Sequence, residues 1–314
     1  MPETPLISIV MPSYNQAAYL EQALRSVLEQ DCPGMEVLVV DGGSNDGSVE
    51  IIRRYAGRLA WWVSEKDRGQ ADGINKGLAQ ARGKFVAWLN SDDLYLPGAL
   101  ATAVRALEEN PERALVFGDV LAIDAAGETT NVMRYGAWGL DELMRFCIIG
   151  QPGVFMRREA LLRAGPLDES YHFLLDHHLW LRVAQQGDMH YLPTPLAAAR
   201  FHAAAKNVAQ AAAFGQEAYR IVAWMQAQPA LAGRFASNRR RIWAGAHRMN
   251  ARYLLDGGQP GPALRAYLRS LASHPPTALA EAHRMAYAAA SLLVNVDGLR
   301  AWYLRRRKAR ISNR

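Results

Sequence analysis

Four short apolar runs, separated by segments of helical period, occupy residues 6–89, and this alternation restricts the chain to a small set of folds. Leu6–Met11, Glu36–Val40, Leu59–Val63 and Phe85–Leu89 are predicted as buried strands. After the first of them, Leu20, Ala23, Leu24, Val27 and Leu28 recur at the i, i+3, i+4, i+7, i+8 spacing of an amphipathic helix. Helices are also predicted over Asp46–Tyr55 and Gln70–Ala81. Strands alternating with helices of this length imply βαβ units, hence an α/β fold with a Rossmann-like, mainly parallel sheet flanked by helices.

The chain of 314 residues exceeds the usual single-domain length of about 100–200 residues. Half of it is hydrophobic and 21% is charged, which excludes a disordered polymer. From about Ala203 the character changes to alanine- and arginine-rich helix, with turns at Gln228-Pro229, Asp256-Gly257-Gly258 and His274-Pro275-Pro276. An α/β domain over 1–207 and a helical region with a basic tail over 208–314 are therefore expected. The stretch around Ala263, Tyr267 and Leu271 has the look of a helical hairpin, in one copy only. Cys32 and Cys147 are too few for a disulfide framework and lack CxxC spacing. No basic then apolar leader opens the sequence, and Met285–Val296 is too short to span a bilayer, so a cytoplasmic location is expected.

The net charge of +6 equals that of the last segment alone: Asp297–Arg314 holds seven basic residues and one acid. The rest sums to near neutrality, which disfavours a nucleic-acid binder. The tail has two readings, a solvated end or an anchor on an anionic membrane surface.

In parallel sheets ligands sit at the carboxyl ends of the strands. Three of those ends are rich in polar groups: Pro12, Ser13, Tyr14 and Asn15; Asp41-Gly42-Gly43-Ser44-Asn45-Asp46-Gly47; and Asn90-Ser91-Asp92-Asp93. Turn formation alone accounts for the glycines and many of the Asn and Asp residues. Adjacent carboxylates after a buried strand repel one another unless water or a cation attends them, and Mg2+ or Mn2+ suits such oxygen ligands.

Taken in order, these segments resemble the family 2 glycosyltransferases of GT-A fold, over about residues 6–207. Pro12–Asn15 is similar to the family's P-[ST]-Y-N, and Val40–Gly47 to V-D-G-G-S-x-D-G. Asp67–Asp72 with Asn75-Lys76-Gly77 resembles D-x-G-x-x-x-A-x-N, with Gly73 where alanine is usual. Val86–Asp93 resembles the metal-binding acidic motif, with Asn90 in place of the first acid. Gln151-Pro152 and Phe155–Arg158 resemble the acceptor-side segment, and Leu175–Arg182 the segment [ED]-D-x-D-L-W-L-R.

The resemblance implies a glycosyltransferase moving a sugar from a nucleotide-sugar donor, a UDP-sugar first, to a saccharide or lipid-linked glycan acceptor in polysaccharide or glycan assembly. Tyr14, Asn15 and Asp41 are expected at the base and ribose, with Pro12 and Ser13 lining the pocket and Gly69, Gln70, Asn75 and Asp92 completing the donor site. Asp92, Asp93 and His202, in Arg200-Phe201-His202, are the implied ligands of Mn2+ or Mg2+. Lys206 is the implied diphosphate contact, and Asp176 the general base of an inverting transfer. Without the resemblance, Asp41 reads as a turn former and Asp176 as a helix N-terminal acid. His172, His177 and His178 read as structural, since no zinc-type spacing is present.

The alternatives are a catalytically degenerate nucleotide-sugar-binding module, a nucleotidyltransferase, and a retaining transferase. A nucleotidyltransferase would carry a glycine-rich basic loop near its start, which Pro12–Asn15 is not. Acceptor choice falls to residues 118–168, where sequence patterns say least.

Overall fold

The computed structural model describes residues 4–202, 210 and 213–293. Lys206 and the basic tail Asp297–Arg314 lie outside the described residues. The chain divides into two compact units, Met1–Leu140 with Ile149–Arg200, and Asp141–Ile148 with Phe201–Arg314.

The first unit opens with β1 (Ile7–Ser13), α1 (Ala17–Leu28), β2 (Met35–Asp41), α2 (Ser48–Tyr55), β3 (Trp61–Ser64), α3 (Gln70–Gln80) and β4 (Phe85–Trp88). These are the seven elements that periodicity predicts, and α1 buries Leu20, Ala23, Leu24, Val27 and Leu28, the predicted stripe. There follow β5 (Leu94–Tyr95), α4 (Ala99–Glu109), β6 (Arg113–Ile123), β7 (Thr129–Met133), α5 (Leu140–Met144), β8 (Val154–Arg157), α6 (Arg158–Ala164), α7 (Leu175–Val183) and β9 (Asp188–Arg200). Helix α5 belongs almost wholly to the second unit.

The sheet runs β3-β2-β1-β4-β8-β6-β9-β5, with β7 beside β6. Strands β3, β2, β1 and β4 are parallel, as are β6 and β9, while β8 is antiparallel to both β4 and β6. The chain builds β2 and β3 on one side of β1 and β4 on the other. Beyond the carboxyl ends of β1 and β4 this reversal leaves the crevice where such sheets hold ligands. Every residue of β1 and β4 is buried, the mark of strands covered on both faces. Helix α3 lies so close to the sheet that a Cβ on Gly77 would stand 2.3 Å from Val10 and 3.2 Å from Val40. Glycine is required there by contact distance.

The second unit holds α8 (Phe214–Ala227), α9 (Ala232–Asp256), α10 (Pro260–Ser273), α11 (Pro275–Leu279) and α12 (Ala282–Ala290). The three turns expected from the sequence fall between α8 and α9, α9 and α10, and α10 and α11, and Ala280-Glu281 separates α11 from α12. Tyr267, Ala263 and Ala266 of α10 pack with Ala251 and Leu255 of α9 in a small core. No helix among the described residues is long and apolar enough to cross a membrane. Cys32 and Cys147 are free thiols.

Candidate active site

The first wall of the crevice is built by the loops after β1 and β2. Asn15 takes a left-handed conformation (φ 51°), which Asn tolerates better than most residues. Its Oδ1 accepts the Asn45 N–H at 3.0 Å, and its own N–H donates to Ser44 Oγ at 2.8 Å. The open N-terminus of α1 is satisfied from the same loop: Gln16 N–H donates to Ser48 Oγ (3.1 Å) and Ala17 N–H to Asp46 (2.9 Å). Pro12 and Ser13 are buried at the strand end, while Tyr14 is 61% exposed.

Asp41 is fully buried, and its carboxylate accepts from the Gly43 N–H (3.1 Å), the Ser44 N–H (2.9 Å), Ser44 Oγ (2.5 Å) and Ser64 Oγ (2.7 Å). In this conformation it is the organiser of the turn and ties β2 to β3. A Cβ on Gly42 would lie 2.5 Å from Asp67 Oδ2 and would displace that carboxylate; the same oxygen would stand 3.3 Å from a Cβ on Gly73. The departure from the usual alanine at Gly73 thus widens the space around Asp67.

Gly69 (φ 123°) starts α3 in a backbone region that side chains avoid. From the first turn of α3, Gln70 reaches across to the acidic motif, its Nε2 donating to Asn90 Oδ1 at 2.9 Å. Asn90 in turn donates to Asp93 Oδ2 (3.3 Å) and Gln151 Oε1 (3.2 Å), and Gln151 Nε2 donates to the Trp88 carbonyl (2.7 Å). Asn75 is committed elsewhere: it exchanges two 2.9 Å hydrogen bonds with the backbone of Leu167 and fixes the loop that leads into α7. Arg68 bridges to Glu169 of that loop at 2.8 and 2.9 Å.

The two acids of the motif face different surroundings. Asp93 is buried, accepting from the Arg200 N–H (2.9 Å) on one oxygen and from Asn90 on the other. Burial, and then the neighbouring Asp92 charge, push the Asp93 carboxyl well above the usual carboxylate range, against the opposing Arg200 and Asn90 contacts. Asp92 is half-buried. Arg200, itself buried, donates to the carbonyls of Asp92 (2.9 Å), Asp124 (3.2 Å) and Ala125 (3.2 Å) and to Gln22 Oε1 (2.7 Å), and its guanidinium lies 4.8 Å from the Tyr19 ring centre. It locks the acidic turn from behind.

A divalent cation can be tested against this donor set. Among the described residues no three His, Cys, Asp or Glu side chains form a metal cluster. The residues do fit a cation held by one carboxylate together with the phosphates of a bound substrate, since Asp92 is half-buried at the strand end while Asp93 is turned inward. His202 falls in the second unit.

Asp176 lies in the first turn of α7, half-buried, its Oδ1 accepting the His177 N–H at 2.7 Å. Helix α7 is fixed by Arg182, which donates to the carbonyls of Ala164 (2.9 Å) and Pro166 (2.7 Å), and by stacking of Trp180 on Trp88. His178 stacks on Tyr171 with ring centres 4.4 Å apart, a packing role. Near Asp176 stands Tyr135, whose phenol is pushed up by burial and then by the charges of Asp119, Asp176 and Tyr191. Asp119, at a bulge in the β6–β9 pairing, accepts from the Tyr135 N–H (3.1 Å) and the Tyr191 hydroxyl (2.7 Å). Sequence reasoning assigned no role to Arg200, Asp119 or Tyr135. The legible signal was a charge inside an apolar run, in Leu196–Arg200 and in Ala114–Ile123.

The family model described as glycosyl transferase family 2 matches residues 8–169, more than half of the chain. The chain belongs to glycosyl transferase family 2. A PGL/p-HBAD biosynthesis glycosyltransferase of Mycobacterium tuberculosis is 33% identical to this family 2 glycosyltransferase over 176 residues, 55% of this chain and 67% of the relative. An uncharacterized glycosyltransferase of Rickettsia prowazekii is 26% identical over 214 residues, 64% of this chain and 65% of its own. A mannosyltransferase from Pyrobaculum calidifontis, in complex with GDP-Man and Mn2+, superposes with a TM-score of 0.62 at 24% identity over 96% of this chain and 84% of that one. S. aureus TarS 1-349 in complex with UDP-GlcNAc gives 0.56 at 16% identity, over 88% and 92% of the two chains. The fold of the family 2 transferase is thus the GT-A fold.

Proposed function

We propose that this glycosyltransferase moves a sugar, with inversion, from a UDP-sugar to a saccharide or lipid-linked glycan acceptor, using Asp176 as general base and a divalent cation at Asp92. The observation that carries the reading is the hydrogen-bonded series Gln70, Asn90 and Gln151, backed by Arg200, which holds the Asp92 turn rigid at the switch point of the sheet. Such pre-organisation matters where charge develops on a departing diphosphate.

Tyr14, Asn15, Pro12 and Ser13 form the nucleotide wall, with Gly69 and Gln70 at the entry of α3. Asp41 keeps that wall in shape through the Ser44 and Ser64 contacts, and Asn75 positions the loop that carries Asp176. The Asp176 carboxylate takes the proton of the acceptor hydroxyl as its oxygen bonds to the anomeric carbon. The bond from that carbon to the diphosphate breaks, and its electron pair leaves with the phosphate oxygen. A bound Mn2+ or Mg2+ supplies Lewis-acid neutralisation of the diphosphate charge. The bound nucleotide sugars of the two superposed structures, and the Mn2+ of one, support a donor and cation of this class. The basic tail is the proposed contact with an anionic membrane surface.

Calorimetric titration of UDP, GDP and dTDP, with and without Mn2+, tests the reading on the wild type and Asp92→Asn. Mn2+-dependent binding of one nucleotide, lost in the variant, is expected. Binding of no nucleotide overturns it, and nucleotide binding without any turnover leaves a binding module in its place.

A further inference from the structure

Charge is segregated along this chain in a way that its total conceals. Residues 214–290, which make up α8 to α12, carry ten arginines, no lysine and three acids, a net of +7. Residues 1–213 carry nineteen Lys and Arg against twenty-six Asp and Glu, a net of −7. Some of the helical arginines are paired, as Arg234 with Asp141, Arg252 with Glu281 and Arg284 with Asp256. Among the described residues, Arg239, Arg240, Arg241, Arg265 and Arg269 have no carboxylate in salt-bridge contact.

These unpaired arginines share their surface with exposed leucines. On α10, Arg265, Leu268, Arg269 and Ala272 recur at i, i+3, i+4, i+7, and all four are exposed, opposite the buried Ala263, Ala266, Tyr267 and Ser270. Leu268 is 52% exposed. At one end of this stripe Leu292, 53% exposed, reaches Gly261 beside the Arg265 guanidinium. At the other end Arg240 of α9 donates to the Ser273 carbonyl at 3.1 Å, and Arg241 stands with it beside His274. Leu279 and Leu293 are also exposed.

We propose that this arginine and leucine face docks the helical unit on an anionic lipid surface. Guanidinium groups pair with headgroup phosphates in a planar, two-pronged geometry, and leucines between them gain by leaving water for the acyl boundary. A nucleic acid would satisfy the arginines but leave the leucines in water, so the mixed face fits lipid better. The surface is independent of the basic tail and of the donor-site reading, and its test reads membrane partition alone.

Full-length protein is floated with phosphatidylcholine vesicles, with and without phosphatidylglycerol, at low and high salt. One variant carries Arg240→Glu, Arg241→Glu, Arg265→Glu and Arg269→Glu. A second carries Arg305→Glu, Arg306→Glu and Arg307→Glu in the tail, and a third only Leu268→Gln. Wild type is expected to float with the anionic vesicles alone. The helix variant should lose about tenfold or more in partition, as each reversed charge counts, while the tail variant keeps a measurable share. Leu268→Gln, which leaves the charges intact and sits on the surface, should reduce the partition that survives at high salt. Equal partition of the helix variant and wild type, loss confined to the tail variant, or no flotation of wild type at low salt would each overturn the proposal. So would salt-sensitive retention of a single-stranded oligonucleotide by this face without flotation.

Discussion

Trp88 and Trp180 stack with ring centres 5.0 Å apart and planes 25° from parallel, both almost fully buried. Trp88 ends β4, four residues before Asp92, and Trp180 lies one helical turn beyond Asp176. The two indoles therefore join the strand that presents the acidic turn to the helix that presents the proposed base. Trp180→Ala should cost about 3–5 kcal/mol in urea unfolding. It should also lower kcat in the fraction that remains folded, because small misplacements of reacting groups are costly. Turnover per folded molecule equal to wild type would show that the stack is packing alone.

Asp176→Asn keeps the size of the side chain and removes the base. The expected outcome is a fall in kcat of about 10²–10⁴, with nucleotide affinity by calorimetry unchanged. Loss of nucleotide binding in the same variant would place Asp176 in the donor site instead.

Asn15 combines a left-handed backbone with a side-chain bond to Asn45, and two substitutions separate these contributions. Asn15→Gly keeps the backbone and loses the bond, a cost of about 1 kcal/mol. Asn15→Ala loses both and adds about 1–2 kcal/mol of strain. Thermal unfolding should rank wild type, Gly and Ala in that order, and both variants should bind nucleotide more weakly.

Acid stability should depend on Glu36. Burial raises its carboxyl, but bonds from Ser8 Oγ (2.6 Å), the Arg82 N–H (2.7 Å) and the Arg82 guanidinium (2.8 Å) outweigh this and hold it below the ordinary value. A group lowered in the folded state contributes stability above its unfolded value, about 4.3 for Glu, and that contribution is lost as pH falls through the folded value. Glu36→Gln should therefore lower stability at neutral pH and flatten the fall on the acid side. Parallel melting curves of variant and wild type against pH would contradict this.

The elements legible in the sequence are those set by local period. The stripe from Leu20 to Leu28 and the four apolar runs determine α1 and β1 to β4, because burial on one helix face or inside a covered sheet leaves its trace residue by residue. The strand-end motifs were legible for the same reason: the residues after each strand are adjacent in sequence. The later strands were less so, since β6, β8 and β9 pair in mixed directions and over long separations.

The sequence by itself determined a parallel α/β core, polar groups at three strand ends, and membership of a transferase family. Only the tertiary structure decided that Asp93 turns inward while Asp92 does not, that Asp41 is engaged by its own loop and by Ser64 of β3, and that Arg200 braces the acidic turn from 107 residues away. It also assigned Asp141–Ile148 to the helical unit. The reason is physical: hydrophobic period is written locally, whereas the partners of a buried polar group and the neighbours of a surface charge are chosen by segments distant in the chain.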